Sequence, residues 1–281
     1  MKRRLLAWVL LTAITTACAG AETGQPPPQP TTPPATEPPP PSPRPSESPS
    51  PTRRITFDLW FARDGKLFVT KRTATFEPAV AQLSLTTLLS GPTTSERRAG
   101  VESAIPENTT LRGVNVANGV ATVDLSRAIS GTSGEDELRL AVAQIVYTVT
   151  QFRSVKAVRF EIDGRSIGRR AQTRKAHEAL LPAIVVESPA IGASVSSPVT
   201  VRGTANVFEA TVTLRVLDEQ GRELARTFTT ATCGTGCRGD YSKSVRFSVS
   251  TEQPATIEVL EESAEDGRPI NVVRIPVTLR P

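Results

Sequence analysis

Three cysteines, one histidine and one short acidic run are the residues of this 281-residue chain whose types could do chemistry. Cys233 and Cys237 stand four positions apart with Gly234 and Gly236 between them. In the exported setting argued below, such a pair is expected to close as a disulfide, a local staple for an exposed loop. The loop is short, so its chain-entropy contribution is smaller than that of a long-range crosslink. A structural zinc site wants four ligands, and two cysteines with the distant His177 do not supply them, so no metal site is expected. A thioredoxin-like redox pair would need two intervening residues and a βαβ setting. His177 falls in a polar segment outside either expected core, so no Ser-His-Asp set can be assembled around it. No Gly-rich phosphate loop precedes a helix. Glu135, Asp136 and Glu137 could ligate a metal or exchange protons, yet acids at a helix start are accounted for by the helix dipole alone. A carboxylate pair for glycan hydrolysis converges only in space and leaves no spacing signature. The expectation is a chain with no catalytic residues and no cofactor.

The third cysteine has a different setting. Lys2, Arg3 and Arg4 precede an apolar run from Leu5 to Ala17, interrupted only by threonines. That is the layout of a secretory signal peptide, and it is shorter than the roughly 20 apolar residues a bilayer span needs. Thr15-Thr16-Ala17-Cys18 resembles a bacterial lipobox, with Thr15 where an aliphatic residue is more usual. In such a motif a diacylglycerol is joined to the cysteine thiol and cleavage occurs just before it. With Cys233 and Cys237 paired, Cys18 is the odd cysteine, and lipidation gives it a role. Residues 1–17 are therefore read as a lipoprotein signal and Cys18 as the lipid attachment. The chain is expected on the outer face of a bacterial cytoplasmic membrane.

Residues 18–53 read as a disordered, proline-rich tether. Fourteen of the 24 prolines lie between Pro26 and Pro51, and residues 25–52 hold no apolar side chain larger than alanine apart from proline itself. Such a stretch cannot form a core and favours polyproline II, reaching about 80–90 Å if fully extended. The formal charge is +5. Removing Lys2, Arg3 and Arg4 with the signal leaves 30 basic against 28 acidic residues, a net of +2, which argues against a nucleic-acid partner.

The elements that would position any site follow from periodicity. Leu138, Ala141, Val142, Ile145, Val149 and Phe152 recur at three- and four-residue steps and predict one buried helix face. Val158, Phe160 and Ile162 then alternate with Arg159, Glu161 and Asp163 as on a half-buried strand. Upstream, Arg54–Ala62 and Lys66–Thr75 flank Asp64-Gly65 as a hairpin. A helix carrying Ala81, Leu85, Leu88 and Leu89 starts near Pro78 and stops at Gly91-Pro92. Asn118-Gly119 separates two alternating runs, setting Val116 opposite Ala121 and Val114 opposite Val123. Ser133 and Asp136 suit a capping box for the long helix. The order is strand, strand, helix, strand, strand, helix, strand. It predicts an α+β domain over residues 54–165, an antiparallel or mixed sheet with two helices on one face.

Leu88-Leu89-Ser90-Gly91-Pro92, Ala104 to Thr109, Gly119 to Leu125 and Gln144 to Phe152, in that order, resemble the GerMN domain. That domain is known from sporulation and spore-germination lipoproteins and from actinobacterial envelope lipoproteins. The resemblance implies an extracytoplasmic interaction domain, similar to ring-building motifs, without catalysis and able to self-associate through its sheet.

Residues 166–182 read as a basic joint. Arg165, Arg169, Arg170, Arg174 and Lys175 gather near His177, as a solvated connector or as a contact for anionic lipid or wall phosphate. From residue 183 to 281, short alternating runs separated by turn residues, with no helical stripe, predict a β-sandwich. Ser188-Pro189, Ser197-Pro198-Val199, Gly203 to Ala210, Cys233 to Cys237, Ser263 to Gly267 and Asn271 to Val277 resemble the immunoglobulin-like domain of bacterial spore germination. The reading is a non-enzymatic, membrane-anchored lipoprotein that presents interaction or scaffold modules to envelope proteins in sporulation or germination-type assemblies. Binding of peptidoglycan or another wall polymer is the alternative.

Overall fold

A computed structural model describes residues 53–281. The signal run, Cys18 and the tether up to residue 52 lie outside the described residues.

The first module opens on β1 (Arg54–Arg63) and β2 (Lys66–Thr75), paired antiparallel from Arg54↔Thr75 to Arg63↔Lys66. Asp64 and Gly65 take φ of 54° and 71°, the positive pair that a two-residue turn needs to match strand twist. Next comes α1 (Val80–Leu89), which buries Ala81, Ser84, Leu85 and Leu88. The short α2 (Thr94–Arg98) was not expected, although its signature stands in the sequence. The Thr93 hydroxyl accepts the Glu96 N–H and the Glu96 carboxylate accepts the Thr93 N–H, a complete capping box.

β3 (Leu111–Ala117) and β4 (Val120–Leu125) pair in the expected register, with Val116 opposite Ala121 and Val114 opposite Val123. From β4, α3 (Glu135–Val149) crosses over to the parallel strand β5 (Ala157–Ile162). Asp163-Gly164 then turns the chain into β6 (Arg165–Gln172), antiparallel to β5. The result is a mixed four-stranded sheet in the order β3-β4-β5-β6, and the β1-β2 hairpin stands as its own two-stranded sheet. β6 corrects the reading of residues 166–172 as part of a basic joint. It is an edge strand whose first six residues are all exposed, so no apolar alternation marks it. Polar edge strands of this kind resist unwanted pairing.

Two expectations about α3 also change. Leu138 is 37% exposed, whereas Leu140, Ala143, Gln144, Val146, Tyr147 and Thr148 join Ala141, Ile145 and Val149 in the interior. The C-terminal half of α3 is buried nearly all round because β1, β2, α1 and the 3₁₀ turn Arg174–Leu180 pack on different sides of it. Ser133 does not cap α3. Gly134 is the N-cap, and the Glu137 carboxylate accepts the Ser133 N–H instead.

The buried polar residues of α3, and the half-buried Gln151 just beyond its end, have a definite purpose. β1 has β2 along one edge only, so the backbone groups on its other edge need partners. Gln151 accepts the Asp58 N–H and donates to the Asp58 carbonyl, both at 2.7 Å. Thr148 Oγ1 accepts the Trp60 N–H at 3.1 Å, and Gln144 donates to the Trp60 carbonyl at 3.2 Å. Ala62 exchanges both its bonds with Glu102. Helix side chains thus stand in for a missing strand.

The second module is a sandwich. β7 (Ile184–Ser188), β8 (Ser194–Ser196), β9 (Val199–Ala205), β10 (Thr211–Asp218), β11 (Glu223–Thr230), β12 (Gly239–Val245), β13 (Gln253–Glu262) and β14 (Pro269–Arg280) form two sheets. One has the order β12-β9-β7 and the other β11-β10-β13-β14-β8. Val201, Val212, Leu214, Val216, Ile257, Val259 and Ile275 fill the space between them, each at most 1% exposed. The polar strand β11 escaped sequence reading for the same reason as β6: it is an edge. Gly203 is fixed by close approach, since a Cβ there would fall 1.9 Å from the Val185 carbonyl oxygen, which already accepts the Tyr241 hydroxyl at 3.0 Å.

Candidate functional site

The structure separates the residues that the sequence grouped. Glu135 and Asp136 are exposed and Glu137 is occupied with Ser133, so the acidic trio does not converge. Among the described residues no cluster of three or more His, Cys, Asp or Glu side chains is placed to hold a metal ion. Cys233 and Cys237 are joined as a disulfide with their Cα atoms 5.7 Å apart, in the loop between β11 and β12. Gly234 is enforced by packing, since a Cβ there would lie 2.4 Å from the Ala210 nitrogen, and Gly236 by its φ of 100°. Because backbone packing already holds this loop, replacing both cysteines by serine is expected to cost no more than about 2 kcal/mol, the chain-entropy limit for so small a ring. Urea denaturation of the two forms checks this, and a loss of cooperativity would contradict it.

The basic joint divides in two. Arg165, Arg169 and Arg170 are exposed on β6, while Arg174 turns inward and His177 is buried. Burial and the nearby Arg139 hold His177 below the ordinary histidine value, and its Nε2 has no hydrogen-bond partner. It is a neutral packing residue, not a surface acid or base.

Arg174 organises a cleft that sequence reading did not find. Its Nε donates to Thr150 Oγ1 and its Nη2 to the Tyr147 carbonyl, both at 2.8 Å. The guanidinium carbon lies 4.8 Å from the Tyr147 ring centre and 5.7 Å from that of Trp60. Those rings are themselves 4.8 Å apart at 56°, and the Tyr147 hydroxyl donates back to the Arg174 carbonyl at 3.2 Å. Facing them is Arg238, the residue after Cys237. Its Nη2 donates to the Pro182 carbonyl at 2.6 Å and its Nη1 makes longer bonds to Ala183 and Thr204. The cleft between the two arginines is an open depression of about 340 Å³, with Lys175, Glu178 and Glu187 on its walls.

Burial lowers the pKa of both guanidiniums, and burial raises that of the Tyr147 phenol. The arginines stay cationic all the same. Asp58 and Glu187 act on Arg174, and Glu178 on Arg238, but only at a distance. Among the described residues, neither guanidinium has a carboxylate oxygen within 4 Å. The arrangement offers directed donors beside aromatic faces, which is the equipment of recognition. Trp60, Tyr147 and Arg238 come from separate elements, so no spacing could have announced them. Cys237 was the one local signal, because the loop it closes delivers Arg238.

Residues 59–168 match the family model described as sporulation and spore germination. Residues 183–268 match the model of the immunoglobulin-like domain of bacterial spore germination. Among curated proteins none matches the chain. Similar solved structures include the tandem GerMN domains of the sporulation protein GerM from Bacillus subtilis, 15% identical, covering 81% of this chain and 61% of that one, with a TM-score of 0.38. The first GerMN domain of the same protein is 20% identical and covers 43% of this chain and 98% of that one, with a TM-score of 0.34. The chain therefore spans about three-fifths of the tandem-domain structure.

Proposed function

This chain joins a GerMN domain to an immunoglobulin-like domain of bacterial spore germination, and from that premise we propose that it is a non-enzymatic lipoprotein of the cell envelope. Cys18 carries the lipid that holds it to the outer face of the cytoplasmic membrane. The proline-rich tether lets the two folded modules reach envelope proteins that they assemble or hold in place. The observation that carries this reading is the order of parts in one chain: an apolar run after Lys2, Arg3 and Arg4, a lipobox-like stretch ending at Cys18, a proline-rich stretch with no other apolar side chain larger than alanine, and two segments matched by germination-domain models.

Geometry adds to the case for a scaffold. Lys66 donates to the Ala179 carbonyl at 2.9 Å and Arg63 to the Arg274 carbonyl at 3.1 Å, so the first module is tied to the joint and to the sandwich. Self-association belongs to the same proposal, because β3 is an open edge of the four-stranded sheet, at the end opposite the pairing-resistant β6.

Binding of peptidoglycan or another wall polymer is the second reading, and one feature favours it. Phe228 on β11 is 65% exposed. It borders a depression of about 430 Å³ with Thr211, Thr213, Thr227 and the Arg226–Glu262 ion pair. An aromatic face among hydroxyls suits a sugar ring.

In-cell crosslinking of the tagged full-length protein, with Cys18→Ala as control, separates the readings. Capture of a defined envelope protein that disappears in Cys18→Ala, together with loss of membrane retention, is the expected result. Recovery of wall fragments alone, with or without Cys18, would overturn the scaffold in favour of the polymer.

A further inference from the structure

We infer that the cleft between Arg174 and Arg238 is a binding site for the free terminal carboxylate of a peptide, whose last side chain packs against the half-buried Leu181 above the floor that Trp60 and Tyr147 form. The inference goes beyond the scaffold reading and is independent of Cys18, since every residue it uses lies in the folded modules.

The first argument is electrostatic. Two guanidiniums are partly withdrawn from water in one cleft without a carboxylate at ion-pair distance, and burial depresses both. Buried cations without an anion are costly, and protein structures normally pair them. Backbone carbonyls and ring faces compensate these two only in part, as neutral dipoles and quadrupoles. With Lys175, the walls hold three cations against the two carboxylates Glu178 and Glu187. That leaves a charge of +1, which a single anionic group would neutralise.

The second argument concerns unused donors. Arg174 spends Nε and Nη2 on the protein and Arg238 spends Nη1 and Nη2. Arg174 Nη1 and Arg238 Nε have no acceptor among the described residues. A carboxylate is the group that matches such planar donors.

The third argument selects the ligand's body. The half-buried Leu181 gives the cleft an apolar wall, and Trp60 and Tyr147, only 4% and 3% exposed, form the floor beneath it. A hydrated phosphate would set its oxygens against Leu181, whereas a small aliphatic side chain next to a carboxylate would fill the same space favourably. A terminal carboxylate next to a small aliphatic residue combines both features. It can come from a wall stem peptide ending in D-alanine or from the C-terminus of a protein, and stereochemistry tells the two apart.

The test uses the full-length chain in detergent as a Trp8→Phe variant, so that Trp60, in the floor of the cleft, is the sole indole. Acetyl-D-Ala-D-Ala, acetyl-L-Ala-L-Ala, the C-terminal amide of each and inorganic phosphate are titrated at constant ionic strength while Trp60 fluorescence is followed. One dipeptide acid is expected to give a saturable change with a Kd of about a millimolar, as its size allows. Its amide should bind at least tenfold more weakly, and the preferred enantiomer identifies the source. Arg238→Gln should weaken binding about tenfold, and Glu187→Gln, which removes a competing carboxylate, should tighten it several-fold. No saturable change with either acid, equal binding of acid and amide, or tighter binding of phosphate than of both acids would overturn the inference. If Arg238→Gln does not fold, an affinity unmoved by Glu187→Gln would overturn it as well.

Discussion

Replacing Glu96 by glutamine is expected to destabilise the first module by about 3 kcal/mol near neutral pH, the size of loss seen when a buried ion pair loses one partner. The Glu96 side chain is 3% exposed and accepts four bonds. Arg72 supplies two, at 2.7 and 2.6 Å, and Thr70 Oγ1 and the Thr93 N–H supply the others. Burial alone would raise its pKa, but the donors from Arg72, Thr70 and Thr93 outweigh burial and hold it at about 2, against 4.5 when unfolded. The unfolded chain therefore takes up this proton first. The stabilisation is complete above pH 4.5 and is lost as the pH falls towards 2. A glutamine amide would turn N–H groups towards donors and leave some of them unpaired. The midpoint of thermal unfolding should drop by roughly 6–12 °C at neutral pH. The variant should also lack the decline that the parent shows between pH 4.5 and 2. His177 contributes a separate, higher window: its lowered pKa favours the neutral folded form, so its share is present above pH 6.5 and fades as the pH falls below that value. Melting curves across pH resolve the two, and a Glu96→Gln chain as stable as the parent at pH 7 would contradict the first.

Gln144→Leu should cost about 2–5 kcal/mol although leucine is the better helix former and the more apolar residue. Gln144 has no exposed surface. Its Oε1 accepts the Ala104 N–H at 2.8 Å and its Nε2 donates to the Trp60 carbonyl at 3.2 Å. Leucine would strand both backbone groups in the interior, each at about 1–3 kcal/mol. Leu138→Ala, at a residue 37% exposed on the same helix, is expected to cost no more than about 1 kcal/mol. Denaturant midpoints of the two variants decide the order. If Leu138→Ala proved the more damaging, the side-chain support of β1 by α3 would be refuted.

That pair of residues shows where sequence reading succeeds and where it stops. Asp64-Gly65 and Asn118-Gly119 were legible as turns because positive φ at two successive positions selects those residue types locally. The inward valines of the sandwich were legible because alternation is a property of the strand itself. Leu138 was placed on the buried face of α3 and Gln144 left out of it because helical periodicity assumes one buried face and one wet one. α3 meets neighbours on several sides and uses amides and hydroxyls to complete an unpaired strand. β6 and β11 were missed because an edge strand needs no apolar face. The cleft was missed for a different reason: Trp60, Tyr147, Arg174 and Arg238 lie up to 178 positions apart and share no local pattern.

By itself the sequence determined the export signal and Cys18 as expectations, the two-module order, the turns, the hairpin register and the family to which each module is matched. These are set by short-range rules in which residue type and spacing carry the information. Only the tertiary structure decided that Glu96 is a buried hub, that Gln144 outranks Leu138, that the basic joint divides between an exposed edge and an inward arginine, and that Arg238 meets Arg174. Each of these depends on which backbone groups and charges are left without water once distant segments pack together, and that is a property of the assembled fold.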